Sequence, residues 1–310
     1  MIKPTVSVVI PTFNRSRYIV ETLKSIANQT FKDFECLVID DGSTDNTKEI
    51  VSEFCQKDSR FIYHLRPNTI PKGANSCRNH GVSQSQGIFV SFCDDDDFWI
   101  SEKLKFQIDV FNKNTNIYVV TGDIEYVDEK GVSTNIIKSH WPKNHGYVFK
   151  NFLIKNRTSM VTPMLRREVI ENVGQFNTNF VIAEDWEFWR RVSYCYEFYS
   201  LKEVLAYVRL HDGNISNTRK KSVFERFVLY KNLTKSLLKW GETRFDFNDK
   251  KLISYTEWLI YRRLFANNLK DFNSKVKFLM SVLINDYKDI FRLLKLFFMY
   301  NKDIRNKERK

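Results

Sequence analysis

The sequence contains little glycine and proline, no paired cysteine motif and no long apolar run. Its 310 residues include only 10 Gly and 6 Pro, while 43% are hydrophobic and 15% aromatic. That composition excludes collagen-like and disordered chains. No apolar run approaches the roughly 18 residues of a membrane span. The opening residues, MIKPTVSVVIPTFN, lack the charged and apolar regions of a secretory signal. We therefore expect a folded cytoplasmic protein.

The cysteines and glycines exclude several common site types. Five cysteines are scattered without a CxxC pair, at Cys36, Cys55, Cys77, Cys93 and Cys195. They are typical of reduced core thiols and argue against a disulfide framework or a zinc site. Neither GxGxxG nor GxxxxGK[ST] occurs, so the fingerprints of dinucleotide and P-loop sites are missing.

Positive charge is concentrated in the last third of the chain. Residues 1–215 contain 26 Lys+Arg and 27 Asp+Glu, a net charge of −1, whereas residues 216–310 contain 23 and 10, a net charge of +13. This asymmetry predicts an anionic partner for the C-terminal region and a nearly neutral body before it.

Strand and helix patterns alternate along the first third. Apolar, β-branched runs occur at 6–10 (VSVVI), 35–39 (ECLVI), 60–65 (RFIYHL) and 87–93 (GIFVSFC), with helical patterns between them. This alternation predicts an α/β fold with a mostly parallel central sheet and a ligand crevice at its carboxyl edge. From about residue 220 the pattern is helical. We predict a catalytic or binding domain over 1–216 and a basic, aromatic-rich helical region over 217–310.

Four consecutive aspartates directly follow the fourth strand, in SFCDDDDFW (91–99). Adjacent carboxylates repel one another, so the cluster costs free energy unless a cation lies nearby. A solvated acidic loop, or a calcium site of another kind, is the alternative. The spacing does not fit an EF-hand, because no glycine or bidentate glutamate follows in place.

Four segments together resemble the family 2 glycosyltransferases, enzymes of the GT-A fold that use nucleotide-sugar donors. They are VSVVIPTFNRSRYIVETLKSIANQTFKDFECLVIDDGSTDNT, ANSCRNHGV, SFCDDDDFW and AEDWEFWRR, in the family's order, within residues 5–216. Each segment is a weak pattern alone, but the four in sequence are specific. The chain beyond residue 216 carries no such resemblance.

The resemblance implies a DXD motif at Asp94-Asp95-Asp96 that binds Mg²⁺ or Mn²⁺ and the donor. Asp96 would be the main metal ligand, and Asp94 would lie near the metal or the donor ribose. His211, in RLHDGNIS, could complete the metal shell, although a lone histidine is more often structural. Asp97 matches a frequent following acid without a defined role.

The resemblance also implies which residues contact the donor nucleotide. Pro11, Thr12, Asp41, Arg78, Asp94 and Asp95 would contact the donor. Asp41 could accept the imide N–H of a uracil or thymine ring, while Arg78 could pair with phosphate. The alternatives are helix N-capping by the DDGSTDNT turn, with Ser43 or Thr44 as the cap, and an ordinary surface arginine.

In AEDWEFWRR the resemblance makes Asp185 the general base that deprotonates the acceptor hydroxyl. Burial beside aromatic residues and Glu184 would raise the pKa of this carboxylate towards the working range. The alternative is structural, because acids are favoured in the first turn of a helix.

The sequence therefore predicts an inverting glycosyltransferase. Its donor would be a UDP- or dTDP-linked sugar, and its acceptor a glycan or polyprenyl-linked oligosaccharide for surface polysaccharide. A sugar nucleotidyltransferase and a nucleic-acid binder are the alternatives, but PTFNRSR is a poor glycine-rich loop and the aspartates would repel nucleic acid. The stretch KDIFRLLKLFFMY (288–300) suits either a helix on an anionic membrane or packing on the body or on a second copy in a homodimer.

Overall fold

The computed structural model describes residues 3–139, 145–213 and 222–268. The chain divides into two units, residues 1–215 and 216–310. The described residues of the first unit form nine strands: β1 (Val6–Thr12), β2 (Phe34–Asp40), β3 (Phe61–Leu65), β4 (Phe89–Phe92), β5 (Phe98–Trp99), β6 (Val119–Val127), β7 (Ser133–Lys138), β8 (Met164–Arg166) and β9 (Phe198–Arg209). One sheet contains them all, in the order β3-β2-β1-β4-β8-β6-β9-β5, with β7 paired to β6.

The first half of the sheet is parallel, as the alternation of strands and helices predicts. Strands β3, β2, β1 and β4 pair in parallel. Every residue of β1 is buried, which is why its sequence is a continuous apolar run instead of an alternating one. The carboxyl ends of these strands meet at one edge of the sheet.

The second half is mixed, not parallel. Strand β8 is antiparallel to β4 and β6, while β6 and β9 are parallel and β5 is antiparallel to β9. Strands β6 and β7 form an antiparallel hairpin. The short turn between them permits only that arrangement, because parallel neighbours need a long crossover connection.

Seven helices flank the sheet in the described part of the first unit: α1 (Ile19–Ala27), α2 (Thr47–Lys57), α3 (Ala74–Gln84), α4 (Lys103–Lys113), α5 (Phe149–Ile154), α6 (Arg167–Val173) and α7 (Glu184–Cys195). Helix α3 lies so close to β1 that a Cβ on Gly81 would be 2.4 Å from Val9 Cγ1. Only glycine permits this approach of α3, the helix that also carries Arg78.

The second unit contains α8 (Val223–Trp240) and α9 (Phe247–Asn268). Helix α8 begins with a capping box, in which Ser222 Oγ accepts from Glu225 N and Glu225 Oε2 accepts from Ser222 N. The hydrophobic core of the second unit contains Phe227, Ile260 and Tyr261. Among residues 3–139, 145–213 and 222–268, no helix is both long enough and apolar enough to cross a membrane. The stretch 288–300 lies outside these residues.

Candidate active site

The predicted donor residues lie at the carboxyl edge of the parallel strands. Strand β1 ends at Thr12, just after Pro11, and β2 ends at Asp40, next to Asp41. The four aspartates follow β4, which is the neighbour of β1. Strand order therefore brings together side chains that are up to about eighty residues apart in sequence, at the edge where open α/β sheets bind ligands.

Each of the four aspartates has a different partner. Asp94 Oδ1 accepts a hydrogen bond from Arg78 at 2.7 Å, and Asp95 Oδ2 accepts one from Phe13 N at 3.1 Å. Asp96 Oδ2 lies 2.9 Å from His211 Nε2. Asp97 Oδ1 accepts from Arg209 N at 3.0 Å. Arg15 Nε adds ion pairs at 3.3 Å to Asp95 and 3.6 Å to Asp96. The acidic run is therefore a folded turn, and the interpretation as a freely solvated loop is wrong.

The turn still carries more negative charge than its neighbours neutralise. Burial, followed by the charge of Asp96, raises the pKa of Asp95 to about 7, although Arg15 opposes the shift. Burial, again followed by Asp96, raises the pKa of Asp97. A cation near Asp96 would relieve both interactions, because it favours the charged form of every carboxylate around it.

The donor set suits a divalent cation that is shared with a ligand. Asp96 and His211 form a pair, whereas Asp94 is turned to Arg78. Across the described ranges, no three metal-ligating side chains converge on one point. Mg²⁺ commonly takes one or two protein carboxylates and completes its shell with phosphate oxygens and water. A site with one or two protein ligands fits that pattern.

Several buried polar atoms at this edge have no hydrogen-bond partner within the described chain. They include Ser76 Oγ and Arg78 Nε, while Thr12 lies beside Asp95. Buried polar groups are nearly always satisfied, and each exception needs an explanation. A polar ligand in the crevice between β1 and the start of α3 would supply one. Ser76 is absent from the sequence-based prediction.

Asp41 is held by two groups that sequence reasoning did not identify. Arg66 Nε donates to Asp41 Oδ1, and Gly73 N donates to Oδ2 at 2.8 Å. The assignment of Ser43 or Thr44 as the helix cap is wrong: Asp45 Oδ1 accepts from Thr47 N, the first residue of α2, at 3.0 Å. Asp41 thus stays outside the cap, and its contact with a base remains a prediction.

Asp185 lies in the first turn of α7. Its Oδ2 accepts from Asn156 Nδ2 at 2.6 Å, and its Oδ1 from Trp186 N at 2.7 Å. Burial raises the pKa of Asp185, against the opposing effect of Asn156 and Arg78. Burial, then the charge of Asp185, raises the pKa of Glu184 to about 7. A carboxylate with a raised pKa is a stronger base than an ordinary aspartate.

The backbone at the start of α7 adopts an uncommon conformation. Ala183 occupies the N-cap position with φ 57° and ψ 30°, a left-handed conformation, and makes no side-chain cap hydrogen bond. A non-glycine residue there is uncommon, and such strain concentrates at functional sites. Asp185 Oδ1 also accepts from a first-turn N–H, that of Trp186, so the role of Asp185 as the base stays a prediction.

Arg78 connects the aspartate turn to the start of α7. Its side chain is 3% exposed, with NH2 at 2.7 Å from Asp94 Oδ1 and NH1 at 3.7 Å from Glu184 Oε1. The predicted phosphate contact is not tested by these distances. They do show that the two acidic motifs, ninety residues apart in sequence, border one buried guanidinium.

Arg209 and Asn156 are the main site residues that sequence reasoning missed. Arg209 Nε donates to Asp96 O at 3.0 Å, and its NH1 to Glu129 O at 3.0 Å. Two residues later, His211 meets the Asp96 side chain. The end of β9 therefore fixes both the backbone and the carboxylate of Asp96. The only sequence signal for Arg209 was its position two residues before His211.

A sequence profile of the family described as Glycosyl transferase family 2 matches residues 7–174. The GalNAc(5)-diNAcBac-PP-undecaprenol beta-1,3-glucosyltransferase of Campylobacter jejuni is 29% identical over 268 residues, which cover 86% of this chain and 85% of that protein. The UDP-Glc:alpha-D-GlcNAc-diphosphoundecaprenol beta-1,3-glucosyltransferase WfgD of Escherichia coli is 34% identical over 185 residues, 59% of this chain and 68% of that protein.

Solved structures share the fold at low identity. The structure of S. aureus TarS 1-349 in complex with UDP-GlcNAc superposes with a TM-score of 0.67 at 22% identity, covering 90% of this chain and 81% of that one. The mannosyltransferase PcManGT of Pyrobaculum calidifontis, in complex with GDP-Man and Mn²⁺, gives 0.60 at 17% identity, covering 95% and 79%. These likenesses confirm the predicted GT-A fold.

Proposed function

This chain belongs to glycosyl transferase family 2, and we propose that it is a metal-dependent, inverting glycosyltransferase with a UDP- or dTDP-linked sugar as donor. One observation carries the proposal: the buried Arg78 guanidinium lies between Asp94 of the aspartate turn and Glu184, the neighbour of Asp185. A group that holds the leaving diphosphate and a group that deprotonates the acceptor must lie close together for a direct displacement.

The donor side is formed by the edge of the parallel sheet. Ser76 Oγ, which has no partner in the described chain, and Thr12, which lies beside Asp95, offer hydrogen bonds to the nucleotide. Asp41, oriented by Arg66 and Gly73, accepts the imide N–H of a uracil or thymine ring. Arg78 and Arg15 supply positive charge near the diphosphate.

A divalent cation held by Asp96, with Asp94 and His211, would offset the negative charge of the departing nucleoside diphosphate. Asp96 can take this role because Arg209 fixes its carbonyl and His211 its carboxylate. The remaining ligand positions suit phosphate oxygens and water.

The acceptor side is formed by the start of α7. Asp185 takes the proton of an acceptor hydroxyl, whose oxygen then attacks the anomeric carbon from the face opposite the leaving group. Asn156 and the Trp186 N–H hold the carboxylate in one orientation. A single displacement of this kind inverts the anomeric configuration, without a covalent enzyme intermediate.

We further propose that the acceptor is a glycan or polyprenyl-linked oligosaccharide of a bacterial surface polysaccharide. The Campylobacter and Escherichia relatives are named for undecaprenol-linked acceptors. The basic region after residue 216 suits contact with an anionic membrane, because each lysine or arginine near such a surface contributes about 1 kcal/mol.

A donor screen tests the proposal. Thermal unfolding is measured with UDP-, dTDP- and GDP-sugars, each with and without Mn²⁺. A ligand at 100 times its dissociation constant stabilises the folded state by about 2.7 kcal/mol, which is roughly 5–10 °C for a domain of this size. We expect that shift with a UDP- or dTDP-sugar and Mn²⁺ together. A shift with GDP-sugars only, or equal shifts in EDTA, would contradict the proposal.

A further inference from the structure

The loop between α5 and β8, residues 155–163, is mostly buried although it contains no helix or strand. It carries Asn156, which donates to Asp185 Oδ2 at 2.6 Å. Loops usually run over the surface, because a buried loop leaves backbone N–H and C=O groups without water or a regular ladder to bond to. Side chains of neighbouring elements must therefore supply those partners.

Polar side chains of α4 and β4 hold the second half of the loop. Gln107 Nε2 donates to Thr162 O at 2.8 Å, and Ser91 Oγ donates to Pro163 O at 2.9 Å. Lys103 Nζ joins these two side chains, because it donates to Ser91 Oγ at 3.0 Å and to Gln107 Oε1 at 2.9 Å. The loop is thus fixed to the helix and the strand on either side of the aspartate turn.

Three threonine hydroxyls connect this fixed half to the half that carries Asn156. Thr121 Oγ1, on β6, lies 2.9 Å from Thr158 Oγ1 and 2.9 Å from Thr162 Oγ1, and the last two atoms are 3.4 Å apart. All three residues are at most 2% exposed. Each hydroxyl can both donate and accept, so the three can satisfy one another. Thr121 therefore ties Thr158 to a strand inside the sheet.

Thr158 in turn fixes which way the Asn156 amide faces. Thr158 N donates to Asn156 Oδ1 at 3.4 Å, and Asn156 Nδ2 then points to Asp185. A reversed amide would place its oxygen against the carboxylate and its NH2 group against the Thr158 N–H, and both contacts would be repulsive. The Asp185 Oδ2 contact thus depends on the loop.

We propose that Thr121 is a positioning residue for the base, and that it acts by holding Thr158 and, through it, the Asn156 amide against Asp185. The assignment rests on the proposed function, because it takes Asp185 as the group that deprotonates the acceptor. Thr121 is fully buried and acts on the reaction only through Asn156. Displacing a reacting group by about 1 Å can cost about 100-fold in rate, so a weakened support should be visible in turnover.

The hydrogen bond from Asn156 also favours the charged form of Asp185. Burial raises the pKa of Asp185, and the Asn156 amide is the strongest of the effects that oppose it. The charged groups that interact with Asp185 include Arg78, Asp94, Glu184 and Lys138. A variant that loosens Asn156 without altering these charges should therefore raise the pKa of Asp185 further.

Four variants and a control separate positioning from simple stability. Thr121→Val removes the hydroxyl but nearly keeps the shape, Thr121→Ser keeps the hydroxyl, and Asn156→Ala removes the amide. The fourth combines Thr121→Val with Asn156→Ala. Thr256→Val is the matched control, because Thr256 is a 6% exposed threonine of α9 whose Oγ1 donates to Leu252 O at 2.9 Å.

Two quantities are measured on each full-length protein. The pKa of the Asp185 carboxyl is followed by ¹³C NMR titration of aspartate-labelled protein, with Asp185→Asn identifying the signal. Turnover is measured as nucleotide released by hydrolysis of the donor that the thermal screen selects, with Mn²⁺ present and water in place of the acceptor.

We expect Asn156→Ala to raise the pKa of Asp185 and Thr121→Val to raise it by a smaller amount, whereas Thr121→Ser and Thr256→Val leave it unchanged. Thr121→Val should lower turnover about tenfold at saturating donor, with the same donor dissociation constant. Added to Asn156→Ala, it should change neither quantity further, because its effect runs through that amide.

An unchanged pKa of Asp185 in Thr121→Val, or effects that add in the combined variant, would overturn the proposal and leave Thr121 a structural residue. Thr158→Val breaks the same hydroxyl cluster from the loop and carries the same expectations if Thr121→Val does not fold. Failure of the proposed function would look different: the unaltered protein would release nucleotide from no donor, while the NMR titrations would still show whether Asp185 responds to Thr121.

Discussion

Replacing Arg209 by methionine should both destabilise the protein and weaken its response to Mn²⁺. The side chain is 2% exposed and donates to two main-chain carbonyls, Asp96 O and Glu129 O, each at 3.0 Å. A hydrogen bond from a charged group contributes roughly 1.5–3 kcal/mol, so loss of both costs about 3–6 kcal/mol. The ion pair to Glu21 adds little, because Glu21 is 50% exposed.

Thermal unfolding and Mn²⁺ titration together measure this effect. For a domain of this size, 1 kcal/mol shifts the unfolding midpoint by roughly 2–4 °C, so a loss of about 3–6 kcal/mol in Arg209→Met should lower Tm by roughly 6–24 °C. Release of the Asp96 carbonyl should raise the Mn²⁺ concentration needed for UDP binding. Arg209→Lys keeps a charged donor, so its Tm and its Mn²⁺ requirement should lie between those of the unaltered protein and Arg209→Met. This variant keeps the prediction testable if Arg209→Met does not fold.

Glu21→Gln is the control, because it removes only the exposed end of the network. Its Tm should change by about 2–4 °C at most, as expected for less than about 1 kcal/mol. If Glu21→Gln were as damaging as Arg209→Met, the ion pair and not the carbonyl contacts would carry the stability. An unchanged Tm and an unchanged Mn²⁺ requirement in Arg209→Met would refute the reasoning altogether.

Three other predictions concern the base, the metal and the C-terminal region. Asp185→Asn should lower turnover by about 100-fold or more, which is the usual effect of a lost general base. The dissociation constant of the donor should not change. Loss of donor binding instead would assign Asp185 a structural role. Because burial raises the pKa of Asp185 above 3.8, turnover should rise with pH beyond the range of an ordinary aspartate, and a pH-independent rate in the acid range would contradict this. Asp96→Asn should abolish transfer and the Mn²⁺-dependent part of UDP binding, whereas full activity of that variant in EDTA would exclude the metal role. Removing residues 288–310 should release the protein from anionic liposomes and leave transfer to a short soluble acceptor intact; an aggregated product would assign the segment to the core or to a dimer interface.

The elements that the sequence predicts well are those with local signals. Strands β1, β2 and β4 are continuous apolar runs because both faces of a parallel sheet are buried. Their ends are marked by the polar residues that follow, and strand order then places these at one edge. The position of the aspartate turn was therefore predictable from local pattern and general topology alone.

The partners of those residues were not predictable, because they are distant in sequence. Asp97 and Arg209 are separated by 112 residues, and Asp41 and Arg66 by 25. A single sequence records which side chains are charged but not which of them meet. The mixed half of the sheet escaped prediction for a similar reason: β8 has three residues, too few for a clear strand pattern.

The anomeric configuration of the product tests the central claim most directly. Proton NMR of the transfer reaction, with an α-linked UDP- or dTDP-sugar and Mn²⁺, follows the donor and the new glycosidic bond in one sample. The account predicts a β-linked product from the first turnover, because Asp185 activates the acceptor on the face opposite the leaving diphosphate. An α-linked product would contradict it, since retention requires a different mechanism from the single displacement proposed for this site.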